Sequence, residues 1–266
     1  MFRNILVPIC PSAGSEVALE QAMDLAERLA ARLFLAAVSP AQREDLTADL
    51  PGMEPNPVDE AVGDEALWPE ASAAPASVPK HALVAASQCE RRRLLHQIVP
   101  VHGLLLPRLR ELSRLNDLIV ACCPGTVEAL SSRDGVALAT TAACPCLFTA
   151  AKFVLLRRMA VLYDGSADCA RALRCAARLA SVLNLRMAVT ASGPGRRLLE
   201  QRMDEARVVA VGYHVEHTVD SLLGLRARNF PAVAEEAGAD IVAGPPTRQF
   251  AAAALARPSL VSLVGY

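Results

Sequence analysis

At 266 residues the chain has room for one large domain or two ordinary ones, with cores that need no disulfide or metal staple. Fifty-three per cent hydrophobic residues beside 21% charged exclude a disordered chain. A formal net charge of −1, with no basic stripe, argues against nucleic acid or an anionic membrane surface as a partner.

In chain order, residues 3–9 form an apolar run of strand length, and Cys10-Pro11-Ser12 is its turn. Ala13 to Ala31 predicts a helix with Val17, Ala18, Leu19, Ala22, Leu25, Ala26 and Leu29 on its buried side. Leu33 to Val38 is a second strand. From Ser39 to Pro79 the composition turns to proline, alanine and acids with little periodicity. That predicts a long loop or insertion, about 40–80, with one short helix around Val58 to Leu67. A helix over His81 to Leu95, a strand Gln97 to Val101, a helix Leu104 to Leu115 and a buried strand Asp117 to Cys122 follow. A loop through Cys123 to Asp134, a short helix to Ala143 and a strand Cys146 to Thr149 complete the half. Strands alternating with helices predict a parallel sheet with right-handed crossovers.

The second half repeats the first. Laid on one another, the halves pair Arg3 with Arg157, Val7 with Val161, Ala18 with Ala172 and Leu25 with Leu179. Asp117 pairs with Asp240, and Pro145-Cys146-Leu147 with Pro258-Ser259-Leu260. Two divergent copies of one α/β domain follow from that order. The second copy opens on Val161-Leu162-Tyr163-Asp164-Gly165-Ser166, an apolar strand that ends in a sharp turn before an amphipathic helix, Ala167 to Asn184. In open α/β sheets this junction, at the carboxyl end of a strand, is where ligands sit. In the first copy, Cys10-Pro11-Ser12 stands in its place.

Ile5-Leu6-Val7-Pro8, followed by an Ala/Leu helix and an apolar strand, resembles the opening of a universal stress protein domain. Asp117-Leu118-Ile119-Val120 and Ala143-Cys144-Pro145-Cys146-Leu147 are similar to that domain's fourth and fifth strands. In the second half the resemblance runs through Val161 to Ser166, Gly238-Ala239-Asp240-Ile241-Val242 and Pro258 to Val264. It implies an α/β fold of two tandem, doubly wound, five-stranded parallel-sheet domains, over 1–152 and 153–266. The implied strand order is 3-2-1-4-5, adenine-nucleotide-binding-like, with the domains paired through their last strands and a homodimer as a further option.

Many members of that family bind ATP through an Asp after the first strand and a Gly-x-x-Gly-x9-Gly-Ser/Thr loop after the fourth. Others lack the loop. Glycines let backbone N–H groups approach phosphate, and the hydroxyl opens a helix whose amino end favours anions. In the first half Cys10 replaces the acid and Cys122 the first glycine. Gly125 and Gly135 keep the later spacing, but Val136 follows where a hydroxyl belongs, and Glu128 and Asp134 add negative charge. The second half keeps Asp164, Gly165 and Ser166, while its fourth strand exits through Gly244-Pro245-Pro246-Thr247-Arg248-Gln249. Two prolines donate no N–H, so no ordinary phosphate cradle is expected there, and Arg248 offers charge instead. The plain alternative is that Ser166 caps a helix and Gly165 makes a turn.

Other constellations compete. Cys10, Cys122 and Cys123 fall at carboxyl ends of neighbouring strands, as a thiol cluster for metal or redox sensing or as small buried hydrophobes. Cys169 and Cys175 read as helix packing residues, and Cys144 and Cys146 lie at the far strand end. His214-Val215-Glu216-His217 is expected to follow a strand, Val208 to Val211, as surface residues. Arg91-Arg92-Arg93 reads as the solvated side of a helix, and Gly193-Pro194-Gly195 as a turn. No nucleophile–base arrangement, carboxylate pair or metal spacing stands out.

The expected function is that of a tandem universal stress protein, a non-catalytic stress-response module with degenerate nucleotide sites. ATP or another adenine nucleotide is the candidate ligand, in the second domain. The rivals are a nucleotide-hydrolysing or transferring enzyme of the same fold, and a thiol or metal sensor through Cys10, Cys122 and Cys123. A cytoplasmic protein is expected, because Met1 to Pro8 carries no leader pattern, Val136 to Ala151 is too short to span a bilayer, and the eight cysteines read as thiols.

Overall fold

The computed structural model describes residues 2–38, 78–101, 104–122 and 132–264. The short helix expected at Val58 to Leu67, most of the Pro-rich segment, Cys123, Gly125 and Glu128 lie outside the described residues.

The first half runs β1 (Asn4–Ile9), α1 (Ala13–Leu29), β2 (Arg32–Val38), α2 (Lys80–Arg91), β3 (His96–Val101), α3 (Leu105–Ser113), β4 (Leu118–Ala121), α4 (Ser132–Thr141) and β5 (Cys146–Phe148). The second half runs β6 (Arg158–Tyr163), α5 (Ala167–Leu183), β7 (Arg186–Gly193), α6 (Arg196–Gly212), β8 (His217–Leu223), α7 (Phe230–Glu236), β9 (Ile241–Gly244), α8 (Arg248–Leu255) and β10 (Val261–Val264). All ten strands join one sheet in the order β3-β2-β1-β4-β5-β10-β9-β6-β7-β8. Each half therefore has the order 3-2-1-4-5. Every pairing is parallel except the seam, where β5 and β10 run antiparallel with Leu147 opposite Leu263.

The central strands β1, β4, β6 and β9 are buried almost throughout, as strands covered on both faces must be. Alanine is what brings the helices close. Ala18, Ala22 and Ala26 of α1, and Ala172, Ala176 and Ala180 of α5, are at most 2% exposed. A larger side chain at any of them would need space that a close-packed interior lacks.

The repeat extends to single hydrogen bonds. One Asp117 carboxylate oxygen accepts the N–H groups of Arg3 (2.8 Å) and Asn4 (3.0 Å) where β1 begins. Asp240 does the same for Arg157 (3.0 Å) and Arg158 (2.8 Å) where β6 begins. α1 and α5 end alike, in the left-handed Ala30 and Asn184. Across the seam, Arg28 donates to the Leu183 carbonyl at 2.6 Å and the Ala151 N–H to the Pro258 carbonyl at 2.7 Å.

Three expectations are corrected. Val208 to Val211 are not a strand but the last turn of α6. There Ala206 and Ala210 face the sheet, while Val208 and Val211 are 72% and 59% exposed. Arg92 and Arg93 lie past the end of α2, with Arg93 left-handed, not along the helix side. α4 begins at Ser132, ahead of the expected start after Asp134, so Gly135 sits within its first turn. Among the described residues no helix is long and apolar enough to cross a membrane.

Candidate functional site

In the second half, β6 ends at Tyr163 and the chain turns through Asp164-Gly165-Ser166 into α5. Gly165 has φ +76°, a conformation glycine adopts without strain. The Asp164 carboxylate accepts the Ser166 N–H at 2.9 Å, and the Ser166 hydroxyl accepts the Cys169 N–H at 3.2 Å, capping the helix. Burial alone would raise the Asp164 carboxyl. Hydrogen bonds from Ser166, a contact with Cys169 and the Arg202 charge outweigh it and hold the group below its ordinary range.

Arg202 of α6 reaches over this turn. Its guanidinium donates to the Ser192 carbonyl near the end of β7. A Cβ on Gly165 would lie 2.6 Å from its Nε, and one on Gly193 2.9 Å from its Nη1. Both glycines are thus what admit the arginine against the carboxyl ends of β6 and β7. Beside it the Tyr163 hydroxyl donates to Glu205 at 2.7 Å. Burial, then the bond to Glu205, pushes the Tyr163 phenol up to about 12.

At the neighbouring exit, of β9, Gly244 meets a different occupant. A Cβ there would lie 2.5 Å from Cζ of Phe250, whose ring is fully buried. Thr247 caps α8 by accepting the Phe250 N–H at 3.3 Å, and its own N–H is taken by the Pro245 carbonyl at 2.7 Å. Arg248 is exposed at the first position of α8. At this exit the Phe250 ring, two prolines and the Thr247 cap stand where the family pattern has an open glycine loop.

In the first half, the equivalent place among the described residues is a cavity of about 420 Å³ between the Cys10–Ser12 turn and α2, with apolar walls at Ile9, Leu19 and Val84 and polar groups at Cys10, His81 and Gln88. The His81 Nε2 is buried with no hydrogen-bond partner among the described residues. The Cys10 sulfur lies 3.1 Å from the Ser12 hydroxyl, which caps α1 through the Ser15 N–H (3.2 Å). Cys10 and Cys122 sit at the ends of adjacent β1 and β4, both buried. Among the described residues no group of three or more His, Cys, Asp or Glu could hold a metal ion. His214 stands in a left-handed turn and His217 opens β8, with Glu216 between them paired to Arg186 at 3.1 Å.

Sequence reasoning missed Arg202 and Phe250. Neither carries a local signal, since each acts on a glycine that the fold alone brings near.

A sequence model of the universal stress protein family matches residues 1–95. Among curated proteins none matches the chain. A solved structure of a universal stress protein from Archaeoglobus fulgidus is similar over 98% of this chain and 95% of its own, at 14% identity and a TM-score of 0.62. A universal stress protein structure from Pseudomonas aeruginosa covers 98% of this chain and 92% of its own, at 16% identity and a TM-score of 0.60. A universal stress protein in complex with cAMP is similar over 34% of this chain and 72% of its own, at 21% identity and a TM-score of 0.31. The family model thus matches residues 1–95, and the chain as a whole shares the fold of the Archaeoglobus fulgidus and Pseudomonas aeruginosa structures.

Proposed function

We propose that this tandem universal stress protein is a non-catalytic binding and signalling module of the stress response, built of units over 1–152 and 153–266. Its first unit serves pairing and carries no nucleotide, because a thiol at Cys10 is a weak acceptor where a ribose needs a carboxylate. Its second unit holds the nucleoside end of an adenine nucleotide at Asp164, Gly165 and Ser166. Arg202 moves aside to admit the ligand, and the phosphates point outward toward Arg248.

The observation that carries the reading is Phe250 packed on Gly244. A phosphoryl-transfer site must cradle the transferring group and neutralise its charge. The β9 exit is filled by an aromatic ring instead, beside a single end-of-strand acid already hydrogen-bonded to Ser166. What remains suits recognition of a nucleoside without turnover.

Thermal shift with ATP, ADP and AMP, alongside Asp164→Ala, tests it. All three nucleotides should stabilise the chain by similar amounts, Asp164→Ala should remove the shift, and no nucleotide should be hydrolysed. Hydrolysis lost in Asp164→Ala would replace this reading with an enzyme. No shift with any nucleotide would leave a pure interaction module.

A further inference from the structure

The face of α5 toward the first half carries charge that the nucleotide reading does not use. Arg171, Arg174 and Arg178 recur at steps of three and four residues, so they share one side of the helix. They line a cavity of about 270 Å³ with Tyr213 of their own half and Phe2 and Asp117 of the other. Phe2 precedes β1 and Asp117 precedes β4, so the cavity opens at the amino ends of the first-half strands. Cys10, and the place a family ligand would take, are at the opposite ends.

The charges in this cavity do not cancel. Its one acid, Asp117, already accepts the N–H groups of Arg3 and Asn4. Arg171 is paired with Asp168, one turn earlier on α5. Arg178 lies over the Phe2 ring, its guanidinium carbon 5.4 Å from the centroid. Arg174 has no ion pair or hydrogen bond among the described residues. Two guanidinium forks one turn apart, in a cavity that Tyr213 also lines, suit the bidentate geometry of phosphate oxygens. The volume is at the low end for small-molecule sites, which favours a compact ligand.

We propose that this seam cavity is an anion site for a small phosphate-bearing molecule, pyrophosphate or a compact phosphate monoester, held by Arg174 and Arg178 with Arg171 as outer guard. Such a ligand touches both halves, so binding it also fastens the seam.

Calorimetry of the full chain with inorganic pyrophosphate tests this, at low salt and at about 150 mM salt. The expected result is saturable single-site binding that weakens with salt, falls at least about tenfold in Arg174→Gln/Arg178→Gln, and is unchanged in Asp164→Ala. Both arginines are exposed on a helix whose packing face is elsewhere; Arg174→Glu, a single substitution, should abolish binding with circular dichroism intact. Absent binding at low salt, equal binding by the double variant, or loss of binding in Asp164→Ala would each overturn the proposal. The last outcome would move the anion to the other site without touching the nucleoside reading.

Discussion

The Arg202 guanidinium rests where a side chain at Gly165 would have to be. It is anchored at one end by the Ser192 carbonyl and lies beside the Asp164 charge. On the proposed function, this arginine is an internal occupant of the crevice that a ligand displaces. Removing it leaves the glycines and the acid in place. Arg202→Ala should therefore tighten AMP binding several-fold, read as a lower dissociation constant by calorimetry. Weaker binding would mean that the arginine holds the ligand instead.

Gly244 answers to packing, and its replacement reports on Phe250. Gly244→Ala forces a methyl into the ring, and overpacking of this kind costs about 1–3 kcal/mol. Gly212→Ala is the control. It has no atom within 4 Å of the added carbon and lies in the last turn of α6, where alanine is the better helix former. Urea unfolding should show the first variant markedly destabilised and the second unchanged or slightly more stable.

The Asp164 carboxyl is held below its ordinary range in the folded chain, so its charge stabilises the fold above that range. This stability is lost as pH falls through the lowered folded value. Asp164→Asn keeps an acceptor for the Ser166 N–H and removes the charge. The stability gap between wild type and variant should be constant near neutrality and close below about pH 4. A gap that persists at pH about 2 would point to the hydrogen bond, not the charge.

Burial pushes the Cys89 thiol up to about 11 and those of Cys144, Cys169 and Cys175 to about 12, and raises Cys146 well above its ordinary value. Thiolate is the reactive form, so these five are inert in the native state. A disulfide reagent at pH about 8 should leave them unmodified until the chain unfolds, when all eight cysteines react. Rapid native labelling at Cys10 or Cys122 would revive the thiol-sensor reading.

Much of the fold was legible because the same task recurs in both halves. Asp117 and Asp240 each sit before an apolar strand, and each carboxylate pins the start of the strand beside it. The alternation of strand and helix required a parallel sheet, and the family resemblance supplied its order. The failures have local causes. Val208-Val209-Ala210-Val211 looks like a buried strand, but it is helical: Ala206 and Ala210, one turn apart, are buried, Val209 is half-buried, and Val208 and Val211 are exposed. Gly244 stands where the family's first phosphate glycine would, and only the fold shows that it makes room for the Phe250 ring. Arg202 was invisible because it returns to Gly165 by way of β7 and half of α6. Arg171, Arg174 and Arg178 also went unremarked, because their meaning depends on Phe2 and Asp117 arriving from the other half.

The central claim is that the second half recognises a nucleoside and leaves the phosphates unheld. Calorimetry of the full chain with AMP and with ATP, at equal salt, measures this directly. The expected dissociation constants lie within about threefold of each other, and binding of both nucleotides is lost in Asp164→Ala. An advantage of ATP over AMP of about tenfold or more, about 1.4 kcal/mol, would contradict the claim by requiring a phosphate cradle.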